Sequence, residues 1–180
     1  MPHLLVEREP MGIGYADENA YDRDATGMLW DRVPFRPGEG RPEFATVHST
    51  RQRLAMRRLL CQVCGKPADR DERGVLWLLD RDEVDERPEW PENTVTRHPP
   101  VCRPCARASL RLCPRLRGWH VAVRVRRPKL YGGYGALYEP YALFPKAIRD
   151  AELPFGDRFV PWFRASQLLR KLKGCTRVRL

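Results

Sequence analysis

Apolar residues along this chain fall into a few short runs with different spacings. Val75-Leu76-Trp77-Leu78-Leu79 is continuous, which predicts a strand covered on both faces, and Gly74 marks the turn ahead of it. Trp119 to Arg126 alternates instead. Val121, Val123 and Val125 occupy one side, and His120, Ala122, Arg124 and Arg126 the other, so this strand is expected to show one face to solvent. Leu130 to Tyr138 is rich in glycine and tyrosine and reads as a loop or a bulged strand. Helical spacing appears three times. Ser49 or Thr50 can cap a helix over 51–60 that turns Leu54, Ala55, Met56 and Leu59 inward. Cys105 to Leu112 makes a second, stopped by Pro114. Trp162, Ala165, Leu168, Leu169 and Leu172 predict a third near 161–173, opened by Pro161, closed by Gly174 and ending in Arg170, Lys171 and Lys173. Thr176 to Leu180 alternates as a short final strand.

The remaining segments are punctuation. Residues 1–50 are rich in Gly, Pro and acidic side chains, which predicts an ordered arm of loops with at most one or two short strands. Leu29, Trp30, Val33 and Phe35 are apolar enough to dock it. Residues 80–92 read as a charged, Pro-broken, solvated loop. A chain of 180 residues is then one domain with three parts: an arm (1–50), a central module (51–117) and an extension packed on it (118–180). No stretch approaches the ~20 apolar residues of a membrane span. The N-terminus turns acidic too soon for a secretory leader, so the expected compartment is the cytoplasm.

Charge changes this picture. Residues 1–50 carry five basic and nine acidic side chains, 51–100 carry ten of each, and 101–180 carry eighteen basic against four acidic. A field of that sign and density favours polyanions, nucleic acid before anionic protein surfaces. Arginine outnumbers lysine 28 to five. Bidentate phosphate or guanine contact accounts for that preference, as does GC-rich codon usage, but codon usage leaves the asymmetry along the chain unexplained.

Four of the six cysteines form two pairs, Cys61-Gln62-Val63-Cys64-Gly65-Lys66 and Cys102-Arg103-Pro104-Cys105. Two-residue spacing lets both thiolates of a pair reach one tetrahedral ion, and Gly65 permits the left-handed turn of a metal knuckle. The second pair opens a helix, whose free N–H groups favour thiolate charge. Lys66, Arg103 and Arg107 lie near enough in sequence to offset part of the −2 of a four-thiolate zinc centre. Zn²⁺ is therefore the expected cofactor, held by Cys61, Cys64, Cys102 and Cys105, with an iron–sulfur cluster or two separate redox pairs as alternatives. Cys113 and Cys175 are expected to be structural. His98, four residues before Cys102, is either a hydrogen-bond partner of a zinc-bound sulfur or a plain loop residue.

A knuckle, a strand region and then a CxxC at a helix start resembles a treble-clef zinc finger over about residues 55–117, with a long gap of 37 residues between the pairs. The resemblance implies a small zinc-stabilised α+β core carrying an irregular N-terminal arm and a basic C-terminal strand/helix extension. Treble clefs include HNH-type nucleases. That pattern wants a histidine on the hairpin and another on the helix after the second pair. Here the hairpin region offers Asp80-Arg81-Asp82, Asn93 alone stands near the position of the middle Asn, and the helix has no histidine. His98 and His120 are misplaced, so the resemblance implies a non-catalytic relative. For binding, Arg103, Arg107, Arg124, Arg126, Arg127 and Lys129 supply cations, while Tyr131 and Tyr134, with Tyr138 behind them, supply rings for stacking on DNA or RNA. The leading expectation is a non-catalytic, zinc-binding nucleic-acid-binding protein. The alternatives are an adaptor with a protein partner and a degenerate nuclease.

Overall fold

The structure, a computed structural model, describes residues 3–8, 11–34 and 47–180. In chain order its elements are β1 (Leu4–Arg8), β2 (Met11–Tyr15), β3 (Leu29–Trp30), α1 (Ser49–Arg58), β4 (Arg70–Asp71), β5 (Gly74–Leu79), β6 (Val95–Thr96), α2 (Arg103–Leu112), α3 (Pro114–Gly118), β7 (Val121–Tyr138), β8 (Ala147–Pro154) and β9 (Phe163–Val178), with short 3-10 turns at Arg81–Glu83 and Val160–Trp162. Helix and strand are mixed, in keeping with an α+β class. Contacts gather into two units, one of residues 1–50 with 132–168 and the other of 51–131 with 169–180, so β7 and β9 are each divided between them. No helix among the described residues is long and apolar enough to cross a membrane.

In the second unit, β5 separates two apolar clusters, as its unbroken hydrophobic run predicts. Val75, Trp77 and Leu79 pack with Trp90, Val123, Val125 and Leu172 on one side. Leu76 and Leu78 pack with Cys61, Val101, Ala106 and Ala122 on the other. β5 pairs antiparallel with β7, Val75 opposite Val125 and Leu79 opposite Val121, and with β4 on its other edge. β9 lies beside β7 and takes β6 on its far side, Val95 opposite Lys171.

The predicted helix at 161–173 is a strand. Phe163 and Ala165 are buried in alternation, and Leu168, Arg170 and Leu172 repeat that alternation one step out of phase, with Leu169 buried as well. Two period-two runs offset by one residue produce the 3-and-4 spacing that reads as a helix face. Gly174 lies within β9, at φ 68°, and stops no helix. Arg170, expected in that helix's last turn, instead donates to the carbonyls of Met56 (2.7 Å) and Arg57 (3.2 Å) at the end of α1. It satisfies carbonyls that a helix C-terminus leaves bare. The loop 80–92 is also less solvated than expected, because Asp80 and Trp90 are buried.

In the first unit the N-terminal residues form three strands rather than one or two: β1 and β2 make an antiparallel hairpin, and β3 runs parallel to β9 with Leu29 opposite Arg164. Leu29 and Trp30 are buried, and Val33 is half-buried; Phe35 lies outside the described residues. The glycine- and tyrosine-rich segment is strand throughout, and Gly132 to Tyr138 pairs with β8. A Cβ on Gly135 would stand 2.2 Å from the Arg164 carbonyl oxygen, so the glycines that suggest a loop are what let β7 lie close to β9. Gly135→Ala must push backbone from backbone. It is expected to cost at least about 2 kcal/mol and to lower the urea midpoint, with the near-ultraviolet signal of Trp30 and Trp162 weakened.

Candidate metal centre

Cys61 comes three residues after the end of α1, and the residues after it fold back as a knuckle. The Cys61 N–H donates to the Lys66 carbonyl (2.7 Å), and the Gly65 N–H returns to the Cys61 carbonyl (2.8 Å). Gly65 holds φ 71°, the left-handed conformation expected of it. The Gln62 N–H reaches the Pro100 carbonyl at 3.0 Å, drawing the knuckle toward the second pair. Arg51 of α1 clamps the same loop by donating to the Val63 carbonyl at 2.9 Å, a contribution that spacing alone does not reveal. Cys102 is the N-cap of α2 with Pro104 in the first turn, and Cys105 lies one turn in.

All four sulfurs lie within 4.8 Å of one another. The sulfurs of Cys64 and Cys102 are 3.8 Å apart. Four sulfurs at the zinc–thiolate bond length of about 2.3 Å define a tetrahedron with edges of about 3.8 Å, so the set fits that ion. All six cysteines are free thiols. Cys61 is buried, Cys64 is exposed, and Cys102 and Cys105 are half-buried.

The thiols do not share one proton affinity. Burial pushes Cys61 up, but backbone N–H groups of Cys102, Cys64 and Val63 outweigh it and bring the thiol down to about 7. Cys105 is pushed up to about 12, first by its contact with the Cys102 thiol and then by burial. Cys102 is also raised, by burial. Thiolates packed this closely repel one another, and a cation held among them would take up that charge. Lys66 and Arg107 are exposed and Arg103 is half-buried.

The expected nucleic-acid residues fare unevenly. Arg126, Arg127 and, beyond Pro128, Lys129 are exposed cations on β7, and Arg107 is exposed on α2. Neither Arg126 nor Lys129 has an ion pair among the described residues. Tyr131 is half-buried with the Lys171 ammonium 5.9 Å from its ring. Tyr134 belongs to the first unit, where its hydroxyl donates to Asp150 at 3.1 Å; Tyr138 is buried there.

Arg124 corrects the alternation. It is 1% exposed, paired with the Asp69 carboxylate and 3.3 Å from that of Asp71. It donates to the carbonyls of Asp69 (3.1 Å) and Gly74 (3.3 Å). Both faces of β5 are covered, so its neighbour β7 has no solvent face opposite Leu76, where Arg124 sits.

His98 is directed elsewhere than the thiols. Its Nδ1 faces Glu83 at 3.5 Å, and Asp80, Glu83 and His98 bring one donor atom each within 4.8 Å. Burial lowers its proton affinity, but the Glu83 carboxylate prevails and raises it. The residue names Asp80 and Glu83, next to the end of an apolar run, were the available signal for this cluster; its third member comes from a loop that only the fold brings close. His120 rests its Nδ1 3.0 Å from the Leu116 carbonyl, and Asn93 uses its backbone N–H on the Leu172 carbonyl (2.8 Å).

What this geometry defines is a four-cysteine group suited to a metal in a mixed α and β protein. No family model, curated protein or solved structure matches the chain.

Proposed function

We propose that this chain binds structural zinc through Cys61, Cys64, Cys102 and Cys105, in a treble-clef-like arrangement, and contacts nucleic acid without catalysis. The observation that carries the reading is the thiol set itself, gathered from a knuckle and a helix N-terminus with the β4–β5 hairpin between them in sequence. Four thiolates leave zinc no open position, so it would shape the module rather than activate water. The proposed contact surface is Arg126, Arg127 and Lys129 on β7, with Arg103 and Arg107 on α2, and Tyr131 within reach of a base. DNA and RNA are equally served by phosphate contacts of this kind.

Replacing Arg126, Arg127 and Lys129 together by glutamate tests it. Affinity for a short single- or double-stranded oligonucleotide is expected to fall at least tenfold near 0.1 M salt. The slope of log affinity against log salt should shrink by about 2 to 3, one step per lost phosphate contact. Unchanged affinity and slope overturn this surface.

A second reading has its own observation. The turn between β7 and β8 presents Leu143 at 85% and Phe144 at 79% exposure, apolar side chains of the kind that anchor protein partners. Co-purification of a protein that survives high salt, carries no nucleic acid and is lost in Phe144→Ser favours that adaptor reading.

A further inference from the structure

We propose that Asp80, Glu83 and His98 form a second metal site, taking one divalent first-row cation in a nitrogen and oxygen shell. The three residues come from the end of β5, the 3-10 turn after it and the loop before Cys102, and their donor atoms lie within 4.8 Å of each other. Two carboxylates and an imidazole suit borderline cations such as Zn²⁺, Mn²⁺ or Co²⁺.

The spacing points the same way. A hydrogen-bonded nitrogen and oxygen stand about 2.7–3.2 Å apart. His98 Nδ1 and Glu83 Oε2 are 3.5 Å apart. Two ligands bound at about 2.1 Å to one tetrahedral ion are separated by about 3.4 Å. That separation suits an ion pair and is also compatible with two ligands of one ion.

The supports around the cluster are those that hold ligands in place. The Thr96 hydroxyl donates to the other oxygen of Glu83 and accepts the His98 backbone N–H at 3.0 Å. The Trp77 indole donates to the His98 carbonyl at 2.9 Å, and the Trp90 indole to the Glu83 carbonyl at 2.8 Å. The Asp80 N–H is 3.2 Å from Glu83 Oε2. The carboxylates of Asp80 and Glu83 are 7% and 10% exposed, so both acidic donors of the cluster are set well below the surface. Arg115 pairs with Asp80 at 3.0 Å, on a side chain 62% exposed.

Manganese is the probe, because it binds thiolates too weakly to displace zinc from the cysteines. The zinc-loaded 180-residue chain is titrated with Mn²⁺ while the electron paramagnetic resonance sextet of the free ion is followed. The expected result is loss of free signal saturating at one Mn²⁺ per chain, with spin-echo modulation from an imidazole nitrogen. His98→Ala keeps both backbone hydrogen bonds of the residue and is expected to weaken binding at least tenfold and abolish the modulation, with zinc content unchanged. Arg115→Ala removes a competing cation and is expected to tighten binding severalfold. A free-ion signal indifferent to the protein, or binding identical in wild type and His98→Ala, overturns the site and leaves an ion-pair cluster only. Neither outcome bears on zinc at the cysteines or on the β7 surface.

Discussion

Cys61→Ser is expected to reduce zinc from one ion per chain to near zero and to open the second unit on one side of β5. Cys61 is a thiol ligand candidate and also 1% exposed in the cluster with Leu76, Leu78, Val101 and Ala106, so the substitution removes a ligand and puts a hydroxyl into an apolar site. Structural zinc is worth about 10 kcal/mol or more in small zinc-dependent modules. Here the cluster of Trp77, Val123, Val125 and Leu172 lies on the other side of β5 and contains none of the four cysteines. Amide hydrogen exchange should therefore accelerate strongly over 61–65 and 102–112 while the paired residues 75–79 and 121–125 stay protected. Cys64→Ser, at the exposed thiol, should lower zinc affinity with less change in packing. Zinc retained at full stoichiometry in Cys61→Ser refutes the assignment. Because protons compete with metal for the thiolates, zinc in the wild-type protein should be released as pH falls.

Arg124→Met is expected to cost about 2 to 3 kcal/mol, measured as a lowered urea midpoint at unchanged slope. The methionine keeps much of the apolar stem but leaves Asp69, Asp71 and two carbonyls without their cation. The lower end of the usual range for a broken buried pair applies, since the carboxylates of Asp69 and Asp71 are 29% and 22% exposed and water can reach them. Oligonucleotide affinity should be unchanged wherever the variant is still folded. The β7 triple variant should show the converse, with weakened binding and little change in stability. An Arg124→Met protein that is fully stable but fails to bind would return Arg124 to the contact surface.

How much could be read from the chain depended on whether a residue's role was local. The CxxC pairs, Gly65 in the knuckle, the helix after Thr50 and the continuous strand at 75–79 are all decided by neighbours within a few positions, and the sequence pattern locates them. Arg124 shows the limit. Period-two alternation identifies its face correctly but not what covers that face, which is supplied by Asp69 and Asp71, more than fifty residues away. At 163–172 the failure is of phase: residues buried in two offset alternations imitate a helix when counted from one end. The glycines of 132–135 carry opposite meanings in a loop and beneath a close strand, and only the packing of β8 on Gly132 and of β9 on Gly133 and Gly135 decides. His98 likewise takes its role from Glu83 and Asp80, which sequence distance does not link to it.

The division of β7 and β9 between the two units has a consequence for the order in which the protein is made. The first unit needs residues 132–168 to join its N-terminal strands, and the second needs 169–180. In a growing chain the first unit therefore waits for the first part of β9 and the second unit for the rest of it. All four cysteines of the thiol set have been translated by residue 105. A metal ion captured then would give the nascent chain its earliest fixed point, with the knuckle and the start of α2 held together while both units still wait for their closing strand.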